Sequence, residues 1–219
     1  MCGIFGSFKF EDYSQLYKEN KKRGSFSYGN LYAKKDGSMY IHKSEGIMDL
    51  ITHNKYNTDY HLFLGHTQAP TSNQREFNIK TTHPFEFGDW HVAHNGVLEN
   101  YKEIIGQYFP DHDLDIDSSV IPRLIDYMYG GDEIYAISEC CGSLRGTYAC
   151  WIYNSRSKNT YVIRSGSTLF GNVKTGTFSS TKLTRRCVKS LNEGEIYHVT
   201  REGIASVGGF NSNSPFFIF

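Results

Sequence analysis

The chain has little of what marks several large classes of protein. Its formal net charge over 219 residues is zero, and no block of five like charges occurs. No apolar run approaches the ~18 residues of a membrane-spanning helix, and the first residues lack the basic and apolar regions of a signal peptide. We therefore expect neither a nucleic acid nor a membrane as a partner.

Cysteine is scarce, and the spacing of the cysteines does not indicate a metal site. The five cysteines are an odd number, and none belongs to a Cys-x-x-Cys pair. A zinc site or a disulfide framework is therefore not expected, and the compartment is predicted to be a reducing cytoplasm. Neither a Gly-x-Gly-x-x-Gly segment nor a Walker-type phosphate loop is present, so we predict no nucleotide and no other cofactor.

What is present fits one globular domain over residues 1–219, with 39% hydrophobic residues and no repeat or linker. Strand patterns occupy residues 3–10, 26–34, 39–43, 60–66 and 90–93, and six further runs after residue 146. Helical spacing occupies residues 11–22, 99–108, 117–129 and 132–140, with a weaker helix at 46–54. Strands at both ends and helices in the middle predict an α+β fold.

The second residue, Cys2, is the first candidate for chemistry. Removal of Met1 would leave Cys2 with a free α-amine, whose ordinary pKa of ~7.7–8.0 suits a base that activates the thiol. Glycines at positions 3 and 6 allow close backbone approach on its far side. The alternative is an incidental cysteine at the frayed end of a first strand, and position 2 alone favours that alternative.

Two further segments can be interpreted in two ways. Asn95-Gly96 is an ordinary type I′ turn signal, but an asparagine amide and the next backbone N–H are also the donors that an oxyanion hole needs. Asp117 is a typical helix N-cap, but its carboxylate could also bind a substrate ammonium group.

Several segments occur together in one order. They are Met1-Cys2-Gly3-Ile4-Phe5-Gly6, Arg23-Gly24, Gly65-His66-Thr67 with Thr71, His83-Pro84, His94-Asn95-Gly96-Val97-Leu98-Glu99-Asn100 and Asp115-Ile116-Asp117-Ser118, followed by the supporting Phe178-Ser179-Ser180-Thr181. They resemble the class II (N-terminal-nucleophile) glutamine amidotransferase domains, most closely the glutaminase domain of glucosamine-6-phosphate synthases. The resemblance extends from Cys2 to about Gly203 and implies a four-layer αββα sandwich of the N-terminal-nucleophile hydrolase type.

The resemblance also implies roles for individual residues. Cys2 would attack the side-chain amide of L-glutamine and release ammonia through a γ-glutamyl thioester. Asn95 and Gly96 would stabilise the tetrahedral oxyanion, and Asp117 would bind the α-ammonium group. Arg23 would order the site around Cys2 and Asn95, and Thr71 is placed among the substrate-binding residues.

One position departs from the family. Where the family has an arginine that binds the substrate α-carboxylate, this chain has Gln68. A neutral amide cannot supply a bidentate, charge-assisted pair. Gln68 stays a substrate-binding candidate, and Arg75, seven residues further on, is our candidate for the replacement cation.

Such domains are usually fused to a synthase that consumes the ammonia, whereas this sequence ends at Phe219. We therefore expect a stand-alone glutaminase that supplies a separate synthase protein. The tail at residues 205–219 would either dock that partner or complete a sheet of this domain. Two alternatives stay open, namely an amidohydrolase of the same class acting on another amide, which Gln68 favours, and a catalytically silent binding module.

Overall fold

Two antiparallel sheets, packed face to face, form the centre of the structure. The computed structural model describes residues 2–69, 76–113, 115–184 and 186–212. The described strands are β1 (Gly3–Ser7), β2 (Ser27–Ala33), β3 (Met39–Glu45), β4 (Leu62–Gln68), β5 (Phe85–Phe87), β6 (Trp90–Leu98), β7 (Gly146–Asn154), β8 (Thr160–Ser165), β9 (Phe170–Asn172), β10 (Thr177–Ser179), β11 (Lys189–Ser190), β12 (Glu195–Thr200) and β13 (Gly203–Gly209). The described helices are α1 (Phe10–Asn20), α2 (Leu50–His53), α3 (Tyr101–Tyr108), α4 (Val120–Met128) and α5 (Glu133–Ser143), with short 3₁₀ turns at Asn54–Tyr56, Ile79–Thr81 and Asp117–Ser119.

The strand order places the first and the last described strands, β1 and β13, in the sandwich. The first sheet runs β11-β9-β10-β1-β4-β2-β3, and the second runs β13-β12-β8-β7-β6-β5. In the first sheet, β1 lies between β10 and β4, so the strand that follows Cys2 is central. In the second sheet, β6 pairs with β7 along its whole length.

Side-chain alternation along the strands explains the layers. Along β4, Leu62 and Leu64 lie between the two sheets, whereas Phe63 packs on the side of α1. The outer face of the first sheet is covered by α1, and α3, α4 and α5 cover the outer face of the second sheet. The order helix, sheet, sheet, helix confirms the predicted αββα sandwich.

The helices begin where local chemistry favours them. Asp132 caps α5, because its carboxylate accepts hydrogen bonds from the N–H groups of Ile134 and Tyr135. Pro122 is tolerated because it lies in the first turn of α4, where its missing N–H has no helical partner. Val120 and Leu124 lie on the buried face of α4, as their spacing predicts.

The structure corrects the sequence interpretation at one important place. Asn95-Gly96 does not form a type I′ turn, because β6 continues through both residues to Leu98 and pairs with β7. Two short strands, β5 and β11, were not predicted. Residues 205–209 belong to β13, and the apolar end of the tail, at residues 213–219, lies outside the described residues.

Four of the cysteines are buried, and all five are free thiols. Burial raises the pKa of the Cys140 and Cys187 thiols, which keeps them protonated and unreactive. Cys2 differs from them, because it is only half-buried. In the described part of the chain, no helix has both the length and the apolarity that crossing a membrane requires.

Candidate active site

Cys2 lies immediately before β1, and its backbone is held at two points. Its carbonyl oxygen accepts a hydrogen bond from Arg23 Nε at 2.9 Å. Two residues on, the Ile4 N–H donates to Ser180 Oγ at 3.1 Å, and the Ile4 carbonyl accepts from the Ser180 N–H at 2.9 Å. These contacts fix the segment that carries the Cys2 thiol.

Asn95 and Gly96 lie within β6, opposite Ala149 and Tyr148 of β7. The φ angle of Gly96 is +154°, and a Cβ atom here would lie 1.9 Å from the carbonyl oxygen of Thr147. Side chains rarely adopt this φ, and the neighbouring strand leaves no space for one. Glycine is therefore required for the strand to pass close to β7 while Asn95 is buried beside it.

Ser180 connects the Cys2 strand with Asn95. Its hydroxyl accepts the Ile4 hydrogen bond and also lies 3.5 Å from Asn95 Nδ2. Its carbonyl oxygen accepts from Thr168 Oγ1 at 3.0 Å and, at 3.5 Å, from Arg23 Nη1. Sequence reasoning missed Ser180, and the available signal was its place in a segment that only supported the family resemblance.

Arg23 is close to Cys2 electrostatically as well as by its hydrogen bond. Burial lowers the pKa of the Arg23 guanidinium, and the attraction of the Cys2 thiolate opposes that shift. A Cβ atom on the adjacent Gly24 would lie 2.3 Å from the backbone nitrogen of Ala69. The Arg23-Gly24 segment therefore packs directly against the end of β4.

Asp117 begins a 3₁₀ turn rather than an α-helix, and its carboxylate has backbone partners. Oδ2 accepts from the Leu98 N–H at 2.9 Å, and Oδ1 accepts from the Ser118 N–H at 2.8 Å. The side chain is 24% exposed. The Leu98 contact ties Asp117 to β6, two residues beyond Gly96.

His94, which sequence reasoning did not assign to the site, lies between Asp117 and β7. Its Nδ1 is 2.8 Å from Ser118 Oγ, and its Nε2 is 3.4 Å from the Thr147 carbonyl oxygen, which can only accept. Ser118 Oγ also lies 3.2 Å from Asp117 Oδ1, so this hydroxyl connects the imidazole to the carboxylate. Burial lowers the pKa of His94, although the Asp117 carboxylate acts in the opposite direction. A neutral His94 therefore positions the 3₁₀ turn that carries Asp117.

Gln68 ends β4 and is buried, with 3% of its surface exposed. Its Oε1 accepts a hydrogen bond from Ser27 Oγ at 2.8 Å. The Gln68 carboxamide is thus part of the pairing between β4 and β2. Thr71 and Arg75, the other candidates in this segment, lie outside the described residues.

Two neighbouring cavities collect most of the candidate residues. A cavity of about 370 Å³ is lined by Cys2, Arg23, Asn95 and Gly96, together with Thr147 and Thr168. A second cavity of about 610 Å³ is lined by Asp117, Leu98, Glu76 and Asn78. Val97 lines both. The structure therefore brings Cys2, Arg23, Asn95 and Gly96 together and places Asp117 next to them, whereas Gln68 is not among the lining residues.

Within the residues that the structure describes, no three His, Cys, Asp or Glu side chains are grouped as ligands for a metal ion. The chemistry available at the cavity of Cys2 is that of a thiol beside amide and backbone donors.

Comparison with known proteins identifies the domain. No family model matches the chain. The glutamine–fructose-6-phosphate aminotransferase of Staphylococcus epidermidis is 28% identical over 93% of this chain and 37% of its own length. The enzyme of that name from Halobacterium salinarum is 30% identical over 91% of this chain and 35% of its own length.

Solved structures agree on the fold. The glutamine phosphoribosylpyrophosphate amidotransferase of Bacillus subtilis superposes with a TM-score of 0.74 at 18% identity, over 94% of this chain and 49% of its own. A glutamine aminotransferase class-II domain protein from Silicibacter pomeroyi superposes with a TM-score of 0.58 at 11% identity, over 96% of this chain and 99% of its own. The chain is a class II glutamine amidotransferase domain.

The match is to one part of the relatives. This amidotransferase domain spans a little over a third of the length of the curated proteins that it resembles. Their names describe whole enzymes, of which the matched region is one part.

Proposed function

We propose that this chain is a glutaminase that hydrolyses L-glutamine to glutamate and ammonia through a thioester on Cys2. The observation that carries the proposal is the single cavity lined by Cys2, Asn95 and Gly96. A half-buried thiol next to a rigid pair of amide donors is the arrangement that acyl transfer needs. The proposal includes removal of Met1, because a free α-amine on Cys2 is its base.

The first step forms the thioester and releases ammonia. Cys2 Sγ would form a bond to the amide carbon of glutamine, while the thiol proton passes to the Cys2 amine. The negative charge that develops on the amide oxygen would be stabilised by Asn95 Nδ2 and the Gly96 N–H. The amine would then donate its proton to the leaving nitrogen, the C–N bond would break, and ammonia would leave.

The second step restores the enzyme. Water would lose a proton to the same amine and attack the thioester carbon, forming the second tetrahedral intermediate in the same oxyanion pocket. Collapse breaks the C–S bond, returns the proton to sulfur and releases glutamate. A reduced thiol is needed in both steps, which favours a cytoplasmic location.

Asp117 is proposed to bind the α-ammonium group of the substrate. Its carboxylate is held by two backbone N–H groups and lines the cavity adjoining that of Cys2. A carboxylate fixed in this way pays little ordering entropy when it pairs with an ammonium group. Arg75 remains the proposed partner of the α-carboxylate.

The ammonia is proposed to serve a separate synthase. In this proposal, the purified chain releases ammonia and glutamate in equal amounts and forms no amino sugar from fructose 6-phosphate. Formation of an amino sugar phosphate by the chain alone would overturn the separate synthase while leaving the glutaminase proposal intact.

The test of the glutaminase is covalent labelling with a diazo-ketone analogue of glutamine, followed by intact mass. We expect loss of Met1 and one adduct on the unsubstituted chain, no adduct on Cys2→Ala, and an unchanged adduct on Cys187→Ala, which removes a buried thiol instead. Loss of Met1 without an adduct would refute the glutaminase and favour either an amidohydrolase for another amide or the silent binding module.

A second candidate function is an amidohydrolase acting on an amide other than glutamine. It is favoured by Gln68, whose uncharged side chain is buried against Ser27. The comparison of L-glutamine with its α-amide separates the two, because only glutamine carries the α-carboxylate. A higher kcat/KM for the α-amide would favour the second function.

A further inference from the structure

The end of the sandwich opposite Cys2 has an opening of its own. Cys2 precedes the first residue of β1, whereas Phe8, just beyond its last residue, lines a cavity of about 360 Å³ at the other end. The turns that join β2 to β3, β7 to β8 and β12 to β13 meet there. The cavity is thus separated from the candidate active site by the length of the central strand.

This opening has an apolar floor and a basic rim. Phe8, Leu62, Tyr153 and Val199 lie at the floor, between the sheets. A second cavity of about 520 Å³ adjoins it, and the two share Lys35, His61 and Arg201. We call the two together the far-end cavity.

Four cations come to the far-end cavity from three different turns, namely Lys34, Lys35, Lys158 and Arg201. Among the ion pairs between described residues, none includes any of the four. Lys158 Nζ instead donates to the Lys35 carbonyl at 3.3 Å, and Lys34 Nζ lies 5.1 Å from the centre of the Tyr60 ring.

The nearby acids compensate only part of this charge. Asp36 and Asp59 line the same opening, and the Asp36 carboxylate already accepts two hydrogen bonds from Ser38. Glu202 follows Arg201 in its turn. The positive charge also acts on His61, which lines both cavities. Burial lowers the pKa of His61, and the charges of Arg201, Lys35 and Lys158 lower it further.

We propose that the far-end cavity binds a small anion through a dianionic phosphate group, with the rest of the ligand on the apolar floor. Four cations that converge from three turns, against the three nearby carboxylates of Asp36, Asp59 and Glu202, are well suited to phosphate, and an arginine adds a planar, bidentate donor. The volume lies in the range of ordinary ligand pockets. The charge is local, since the chain as a whole has no net charge, and the site is independent of the proposed glutaminase.

The test is an NMR titration of the full chain with inorganic phosphate and with phenyl phosphate, at constant ionic strength. We expect saturable shifts of the backbone amides of His61, Lys158 and Arg201, with those of Asn95 and Gly96 unchanged. Tighter binding of phenyl phosphate would identify a phosphate monoester as the ligand class, and equal binding would identify free phosphate.

The variant that removes the charge is Lys35→Gln combined with Arg201→Gln, both at exposed positions where folding is not at risk. Each lost cation is expected to weaken binding about tenfold. The matched control is Lys18→Gln combined with Lys189→Gln, which removes two exposed charges elsewhere and should bind normally. Shifts that do not saturate, or equal weakening in both double variants, would overturn the proposal.

Discussion

Replacing Gly96 by alanine tests whether the close approach of β6 to β7 determines catalysis. The added Cβ would lie 1.9 Å from the Thr147 carbonyl oxygen and 2.8 Å from His94 Nε2. Since real Cβ contacts stay above 3.0 Å, the backbone of β6 or of β7 must shift by more than 1 Å at this point. That displacement acts directly on Asn95 and on the residue 96 N–H, the two proposed oxyanion donors.

The expected effect is large on rate and smaller on stability. A misplacement of ~1 Å can cost about 100-fold in rate, and loss of one oxyanion donor costs about 100- to 1000-fold. We therefore expect kcat for glutamine to fall at least about 100-fold, with a much smaller change in KM. The free energy of unfolding should fall by about 1–3 kcal/mol, from backbone strain and overpacking.

The assay is ammonia release from glutamine, with circular dichroism to show that the variant is folded. Gly106→Ala is the matched control, because no atom lies within 4 Å of a Cβ there and the position is inside α3. It should leave kcat unchanged and add ~0.5–1 kcal/mol to stability. A folded Gly96→Ala protein with nearly unchanged kcat would refute the reasoning.

Three further predictions concern Ser180, Arg75 and His53. Ser180→Ala removes the hydroxyl that accepts the hydrogen bond from the Ile4 N–H. We therefore expect labelling by the glutamine analogue to slow about tenfold and the free energy of unfolding to fall by ~1–2 kcal/mol. The control is Ser157→Ala, in an exposed turn, and equal labelling rates in the two variants would contradict the prediction. Arg75→Ala should raise the KM for glutamine far more than it lowers kcat, whereas the control Lys80→Ala should change neither. An unchanged KM in Arg75→Ala would show that Arg75 does not bind the substrate α-carboxylate. Burial lowers the pKa of His53 to about 4, so as pH falls the unfolded chain binds the additional proton first, and the free energy of unfolding should decrease between pH ~6.5 and about 4. The loss should reach about 2 kcal/mol, which is less than the full shift because the adjoining His42 and Tyr56 rings are only half-buried. His53→Phe should flatten this part of the pH profile measured by urea unfolding.

Local patterns made most of the fold predictable. The 3.6-residue spacing within α3, α4 and α5 and the Asp36-Gly37 signal between β2 and β3 depend only on neighbours in sequence. The strand β11 was missed because two residues are too few for a periodic pattern. The strand β5 was missed because its three residues directly follow Pro84, which is a turn signal.

The candidate site was less predictable, because its decisive contacts are distant in sequence. The Asn95-Gly96 pair matches a turn signal that depends only on neighbouring residues. It is extended in the structure because it pairs with β7, which lies about 50 residues further along the chain. The Ser180 contact with Ile4 spans 176 positions. A serine without a periodic pattern gives no sign of such a partner, whereas Cys2 and Asp117 were found because their side chains are chemically distinctive.

The sandwich itself explains how the proposed nucleophile and oxyanion donors are aligned. Cys2 precedes a strand of the first sheet, and Asn95 lies in a strand of the second. Between the sheets, the Trp151 ring is fully buried and its Nε1 donates to the Gly65 carbonyl at 3.1 Å, which links β7 directly to β4. Since β4 pairs with β1 and β7 pairs with β6, this one contact connects the strands on both sides of the cavity. The packing between the sheets therefore sets the position of Cys2 relative to Asn95, and Ser180 is the polar contact at the cavity that holds them in register.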